Sequence, residues 1–255
     1  MSEFPNDSAF PKPPPPPDMA PPPGYVGYGA APTPGYGQYR RIGGQAKALR
    51  VLLAIFVVAS VISLALLPSA KSKALAYVNG TGSLSDYEDA LGPWSLANSL
   101  VGGVTVAIAV LVMIWMNRMT KNLQLIGRVG TWTPGWAIGG WFLPPVLFVI
   151  PYLMLRDLWK GSDPQSQPNW RSNPVAPIVH VWWALYGVIP LAFVTVTFSR
   201  FSFSFDNDNI DQAKNLSDSF GITMAAQAIQ IGAAVALLLL VTQLTKRHTE
   251  ITREA

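Results

Sequence analysis

Read for its apolar and polar positions, the chain changes character near residue 46. Beyond that point five stretches run free of Asp, Glu, Lys and Arg, at 51–67, 95–117, 129–155, 178–199 and 220–245. Each is about as long as the ~17 to 25 residues that cross a bilayer as a helix. None carries the polar face at helical period that a soluble core helix shows, and a helix apolar all round belongs in a core or in lipid. The pattern therefore predicts an all-α integral membrane protein. The third stretch breaks the rule of one straight helix. Pro144, Pro145 and Pro151 interrupt it, and Gly135, Gly139 and Gly140 come before them. Proline removes a backbone donor and clashes with the preceding turn, so this stretch is expected either as a kinked span or, preferably, as a re-entrant or interfacial pair of half-helices. Irregular backbone at membrane depth is tolerated only where protein or a water-filled cavity covers it.

Charge decides between those two forms. If all five stretches cross, the Lys and Arg between them divide nine to eight. If the third returns to the side it left, they divide thirteen to four, a clear cytoplasmic excess under the positive-inside rule. Four transmembrane helices with both termini cytoplasmic is the expectation, in a multi-pass protein of a bacterial plasma membrane. The loops then left outside are acidic, with Asp86, Glu88 and Asp89 in the first and Asp206, Asp208, Asp211 and Asp218 in the last. The last lacks the glycine and the closing glutamate of a calcium loop and reads as a solvated loop.

Residues 1–46 follow different rules. Twelve of the 23 prolines fall in the first 34 positions, among them the runs Pro13 to Pro17 and Pro21 to Pro23. Such a segment buries too little apolar surface to offset its conformational entropy, and proline runs favour an extended form. A disordered cytoplasmic tail is expected at 1–46, a membrane domain at 47–247, and a short cytoplasmic tail at 248–255. The first 46 residues hold no apolar run of leader type, so insertion is expected to use a later helix.

Composition narrows the chemistry. Only 13% of the residues are charged and the net charge is +4, which on an apolar chain points to topology rather than to nucleic acid. There is no Cys, and His180 and His248 are the only histidines, so thiolate and His-cluster metal sites are not expected, nor any cofactor. Glycine elbows, HExxH helices and phosphate-cradling loops are missing as well, and no enzyme activity is expected. Small residues recur every four positions at Ala228, Gly232 and Ala236, and again at Ser99, Gly103 and Ala107. They fit close helix packing inside the bundle, with a homo-oligomer seam as the second reading. Gln227 and Gln230, inside the last stretch, fit interhelical hydrogen bonds.

Seven of the nine tryptophans lie between 132 and 183. An aromatic belt at the membrane boundary accounts for most of them, but not for the surrounding PGWAIGGWFLPP, nor for LRDLWKGSDP after it, nor for the pair Trp182–Trp183 opening the next span. In these segments the chain resembles an uncharacterised bacterial membrane family, common in actinobacteria and described only as a domain of unknown function. The resemblance covers roughly residues 90 to 245. Trp136, Gly140, Trp141, Pro144, Trp159, Asp163, Trp182 and Trp183 match its motif positions, and it implies a multi-spanning helical protein without assigned activity, cofactor or substrate. From the residues themselves, Arg156 and Asp157 are expected to pair with each other or with headgroups. A sharper hypothesis has Trp136, Trp141, Arg156 and Asp157 lining a cavity for a lipid headgroup or an amphipathic ligand. Functionally, a membrane-anchored scaffold whose proline-rich tail docks a protein partner stands ahead of a transporter or a lipid- or small-molecule-binding protein. Transport calls for paired broken helices and midplane charges, and these stretches hold one broken segment and no charge.

Overall fold

The computed structural model describes residues 38–143, 146–165, 169–190 and 208–254. The expected disordered tail up to residue 37, Pro144 and Pro145 of the broken stretch, and the second half of the fourth stretch lie outside the described residues. Within them the protein is helical, with no strand. Three helices are long and apolar enough to cross a membrane: α1 (Gly43–Val78), α2 (Leu84–Leu125) and, at the other end of the chain, Phe220–Thr252. Between α2 and the last of these lie α3 (Trp136–Gly139), α4 (Ile150–Gly161), α5 (Pro177–Trp183) running on as a π-helical turn at Ala184–Val188, and α6 (Asn209–Asp218). The long closing helix is then α7 (Phe220–Thr252).

The long helices overrun the apolar stretches that foretold them. α1 extends past Pro68 to Val78, and α2 begins at Leu84 and runs through Pro93. The extensions have a reason at each end. Ser83 caps α2, accepting the Asp86 backbone N–H at 3.1 Å while its own N–H and hydroxyl donate to the Asp86 carboxylate, the reciprocal arrangement of a capping box. Those contacts hold the Asp86 carboxyl below its ordinary range. Beyond the bilayer-length part, Leu67, Ala70, Ala74 and Tyr87 pack on Ala213 and Leu216 of α6 in a small satellite core. The acidic segment read as a solvated loop is thus partly helix: Asp208 caps α6 by accepting the Asp211 N–H at 2.8 Å.

The main core joins α1, α2, α4, α5 and α7 through Leu49, Leu53, Trp115, Met116, Met119, Leu155, Trp182, Leu240 and Leu244. The start of α1, the end of α2 and the end of α7 meet at one end of this bundle, called the junction end below. There the Arg40 backbone is bonded to Asn122, and Asn122 to His248. The turn from α1 to α2, together with α6, forms the far end. Residues 38–46 and 248–254, grouped by composition with the terminal tails, belong to the packed structure: Ile42 and His248 are both fully buried. A single sequence sorts these residues as tails because they are charged, whereas contacts between opposite ends of the chain hold them in place.

Of the small-residue stripes, only part is used for packing. Ala236 is buried and Gly232 lies against Leu185 of the π-turn, but Ala228 is exposed. Ser99 and Gly103 are exposed on α2, and Gly103 faces open space. Packing within the bundle, expected for both stripes, is therefore met on α7 and not at Ser99–Gly103. Gln227 does bridge the three long helices, donating to Ser63 Oγ at 3.0 Å and to Asn98 Oδ1 at 3.2 Å; Gln230 is exposed.

Candidate functional site

At the junction end, segments far apart in sequence are tied by one polar network. Asn122 is fully buried one turn before the end of α2. Its Oδ1 accepts the Arg40 backbone N–H at 2.8 Å, and its Nδ2 donates to the Arg40 carbonyl at 2.9 Å. This pair of hydrogen bonds sets the amide's orientation, because turning it over would oppose donor to donor and acceptor to acceptor. The other Nδ2 hydrogen faces His248 Nε2 at 3.2 Å. Nε2 must then accept, which leaves the ring proton on Nδ1, where Ser162 Oγ stands 3.0 Å away. His248 is a neutral imidazole in a defined tautomer. It lies three residues past the apolar stretch that ends at Thr245, among Lys246 and Arg247, and burial pushes its pKa down to about 4.

Three further contacts surround this chain of bonds. Arg128, nearly buried, donates to the carbonyls of Gly161 and Asp163, both at 2.7 Å. Arg247 pairs with Asp163 at 3.1 Å and lies over the Trp159 ring at 4.6 Å. Glu254 accepts the backbone N–H groups of Ile42 and Gly43 at 2.9 to 3.0 Å. Helix α1 has no side-chain cap of its own, so a carboxylate 211 residues away in sequence serves its N-terminus, where negative charge is favoured. Both nitrogens of His248 are engaged, so the network holds segments together rather than presenting a base to a substrate. Sequence reading passed over Asn122 and Glu254 entirely; the one available signal was a histidine directly after Lys246–Arg247 at the end of an apolar run.

The broken stretch sits against this junction. Thr131 donates its backbone N–H to Asp157 Oδ2 at 3.1 Å, Arg171 donates to the Val129 carbonyl at 2.9 Å, and Lys160 to the Arg171 carbonyl at 2.9 Å. Asn117 of α2 donates to the Pro134 carbonyl at 2.7 Å. The two flanks of residues 129–155 are thus side by side.

The four residues expected to line a cavity divide into two groups. Arg156 and Asp157 do pair, at 3.5 Å. Asp157 also borders a cavity of about 20 Å³ with Arg128, Gly130 and Trp132, room for roughly one water. Trp136 packs edge-on against Trp132, with ring centres 5.7 Å apart. Trp141 is elsewhere, 5.7 Å from Tyr186, which stacks on Trp182 at 4.9 Å. Other described motif positions make close contacts, while Pro144 lies outside the described residues. Gly140 comes so close to α4 that a Cβ there would stand 2.7 Å from Ile150 Cγ2. Trp183 stacks on Tyr152 at 4.5 Å and donates its indole N–H to the Phe148 carbonyl at 2.8 Å. His180, exposed, meets the Tyr152 hydroxyl at 3.0 Å. The π-turn at Ala184–Val188 falls in the middle of this aromatic group, and such turns are often found at functional sites. Among the described residues no cluster of three or more His, Asp or Glu is arranged to hold a metal ion.

No curated protein and no solved structure matches the chain. A family model does, over residues 84–246, from the first turn of α2 almost to the end of α7, and that match takes in every tryptophan, glycine and proline of the motif. The chain belongs to the family described as Domain of unknown function (DUF4328).

Proposed function

We propose that this is a multi-pass plasma-membrane protein of four crossings, with both termini cytoplasmic, which anchors and presents its proline-rich tail to a protein partner. The observation that carries the proposal is the clamp of Glu254 on Ile42 and Gly43 beside the Arg40–Asn122 pair. It clasps the residues that follow the tail, Ile42 and Gly43, to the end of α7. Three long helices with both chain ends together leave one passage to be made between α2 and α7. The returning form of the third stretch is supported by the Thr131–Asp157 and Arg171–Val129 bonds, and α5 is then the start of the fourth crossing. Charge supports the orientation. Lys and Arg from four separate islands, among them Arg41, Lys47, Arg118, Lys121, Lys160 and Lys246, lie towards the junction end, while Asp86, Glu88, Asp89, Asp211 and Asp218 lie towards the other.

Because the chain has no Cys, single cysteines report sidedness cleanly. With Gln165→Cys, Lys214→Cys and Arg253→Cys in intact cells, a membrane-impermeant thiol reagent should reach only position 214. Labelling at 165 and 253 but neither at 214 nor at Lys47→Cys, at the start of α1, would establish five crossings in place of four. For the tail, full-length protein should restore a deletion strain and a chain lacking residues 1–37 should not; equal rescue by both removes the scaffold role.

A further inference from the structure

The cations of the junction end fall into two sets. Those that follow α2 are spent inside the fold. Arg128 donates to the Gly161 and Asp163 carbonyls, Lys160 to the Arg171 carbonyl and Arg171 to the Val129 carbonyl, while Arg156 and Arg247 pair with Asp157 and Asp163. Those on the flank where α1 begins and α2 ends are not. Among the described residues Arg41, Lys47, Arg118 and Lys121 have no ion pair. The carboxylates of this end are engaged elsewhere, Asp157 and Asp163 as above and Glu254 on the Ile42 and Gly43 backbone, while Glu250 stands one turn after Lys246 on α7.

Geometry gathers three of them. Arg118 gives one guanidinium N–H to the Arg41 carbonyl at 3.0 Å, which brings Arg41 against α2 and leaves the other donors of Arg118 unused. Lys121 follows on the same face of α2, as residues three apart do, and Asn122 holds the Arg40 backbone beside them. Arg41 is exposed, and Arg118 and Lys121 are partly so. Depth sets the kind of partner. Arg118 is the first residue after the apolar stretch that ends at Asn117, so its guanidinium lies where hydrocarbon gives way to headgroups. Arg50, just before the apolar stretch of α1, donates its Nε to the Ala46 carbonyl at 3.3 Å, one turn towards the junction end, and so leans towards the same boundary.

We propose that Arg41, Arg118 and Lys121 bind the headgroup phosphate of an anionic phospholipid. The planar guanidinium offers paired donors to phosphate oxygens, and the Lys121 ammonium adds a point charge beside it. A headgroup carrying its own choline or ethanolamine cation would bring like charge to a flank that is already positive, so a headgroup of net negative charge is preferred. This goes beyond the scaffold role. It rests on the membrane reading alone and holds whether the chain crosses four times or five.

The test uses full-length protein in nanodiscs, with thermal unfolding as the readout. Phosphatidylcholine alone is compared with phosphatidylcholine containing phosphatidylglycerol, and with phosphatidylcholine plus free glycerol phosphate in the buffer. Phosphatidylglycerol should raise the midpoint by about 2–4 °C at low salt, with glycerol phosphate without effect. Arg118→Gln, which keeps a donor for the Arg41 carbonyl, and Lys121→Gln, whose side chain bonds nothing among the described residues, should each remove about half of the shift. Lys73→Gln and Lys214→Gln, which take the same charge from the far end, should leave it whole. No shift from phosphatidylglycerol, an equal shift from glycerol phosphate, a full shift retained in both junction variants, or an equal loss in the far-end variants overturns the proposal. So does a shift that appears only after Glu3→Gln, Asp7→Asn and Asp18→Asn, which would put the tail's own acids on the site.

Discussion

The two ends of the bundle solve the same problem in opposite ways. Each must close the helices where apolar packing stops and polar backbone begins. At the junction end the closure is made of long-range hydrogen bonds: Arg40 to Asn122, Asn122 to His248, His248 to Ser162, Arg128 to Gly161, Glu254 to Ile42. At the far end it is mostly apolar, with the local Ser83 capping box, the stacked pair Tyr77–Tyr87 and a small core in which Ala213 and Leu216 of α6 meet Leu67, Ala70 and Ala74 of α1. Order is therefore enforced more strictly at one end than at the other. A buried polar network tolerates one arrangement, since any slip leaves a donor or acceptor unpaired, while a core of small apolar residues is less exacting. Arg40 and Ile42, ahead of α1, are held at the strict end, and α6 packs at the permissive one.

That contrast can be broken most directly at Asn122. Asn122→Leu strands both Arg40 backbone groups and the His248 ring, and should lower stability by about 2–4 kcal/mol, read as a drop in thermal midpoint in nanodiscs. A loss as small as an exposed-site substitution gives would mean that the network does not organise the junction. Acid offers the next test. With His248 held neutral and its pKa pushed down to about 4 from an ordinary value near 6.5, the unfolded chain binds the proton first. Stability should therefore be constant above about pH 6.5 and fall as pH drops towards about 4, by up to about 3 kcal/mol. His248→Gln should flatten that slope, and an unchanged slope in the variant would place the titration elsewhere.

Gly140→Val drives a side chain into Ile150 and should cost about 1–3 kcal/mol, separating the broken stretch from α4 while leaving the far-end core intact. Hydrogen exchange should show the loosening confined to residues near 136–161, and loosening that reaches α6 would argue that the two ends are not independent. Glu254→Ala removes the cap on α1 and should cost about 1 kcal/mol, with Glu254→Gln recovering part of it. The smallest effect is expected on the exposed face of α2. Gly103→Ala meets open space and should change stability by less than about 1 kcal/mol, in the stabilising direction through helix propensity; a clear loss would reveal a partner surface there.

Much of this was legible in one sequence, and unevenly so. The long apolar stretches of α1, α2 and α7 announce themselves because a bilayer-length helix needs only composition, not partners. The motif tryptophans and glycines were visible as unusual, but their pairing was not: Trp136 and Trp141, five residues apart, turn to different neighbours, Trp132 and Tyr186. The Arg156–Asp157 pair was legible because adjacent charges at the end of an apolar run have few other partners. Asn122 and Glu254 carried no pattern at all, being ordinary polar residues until the chain folds back on them, and Ser162 stood within LRDLWKGSDP with nothing to point it at His248. The extension of α1 and α2 beyond their apolar stretches was hidden for a related reason. It depends on α6, more than a hundred residues later, offering Ala213 and Leu216 to Leu67, Ala70 and Ala74.

Residue order alone is enough to show that this chain forms apolar helices of bilayer length, carries its positive charge in islands and belongs with proteins built on the same tryptophan and glycine pattern. Those properties are sums over neighbouring residues, and local sums need no fold. Folding alone brings the start of α1 against the end of α7, gives both ring nitrogens of His248 a partner and sets α6 against the opposite end. Each of these depends on which atoms from distant helices meet. Hydrogen bonds are directional and short, so their partners are set only when the helices have taken their places.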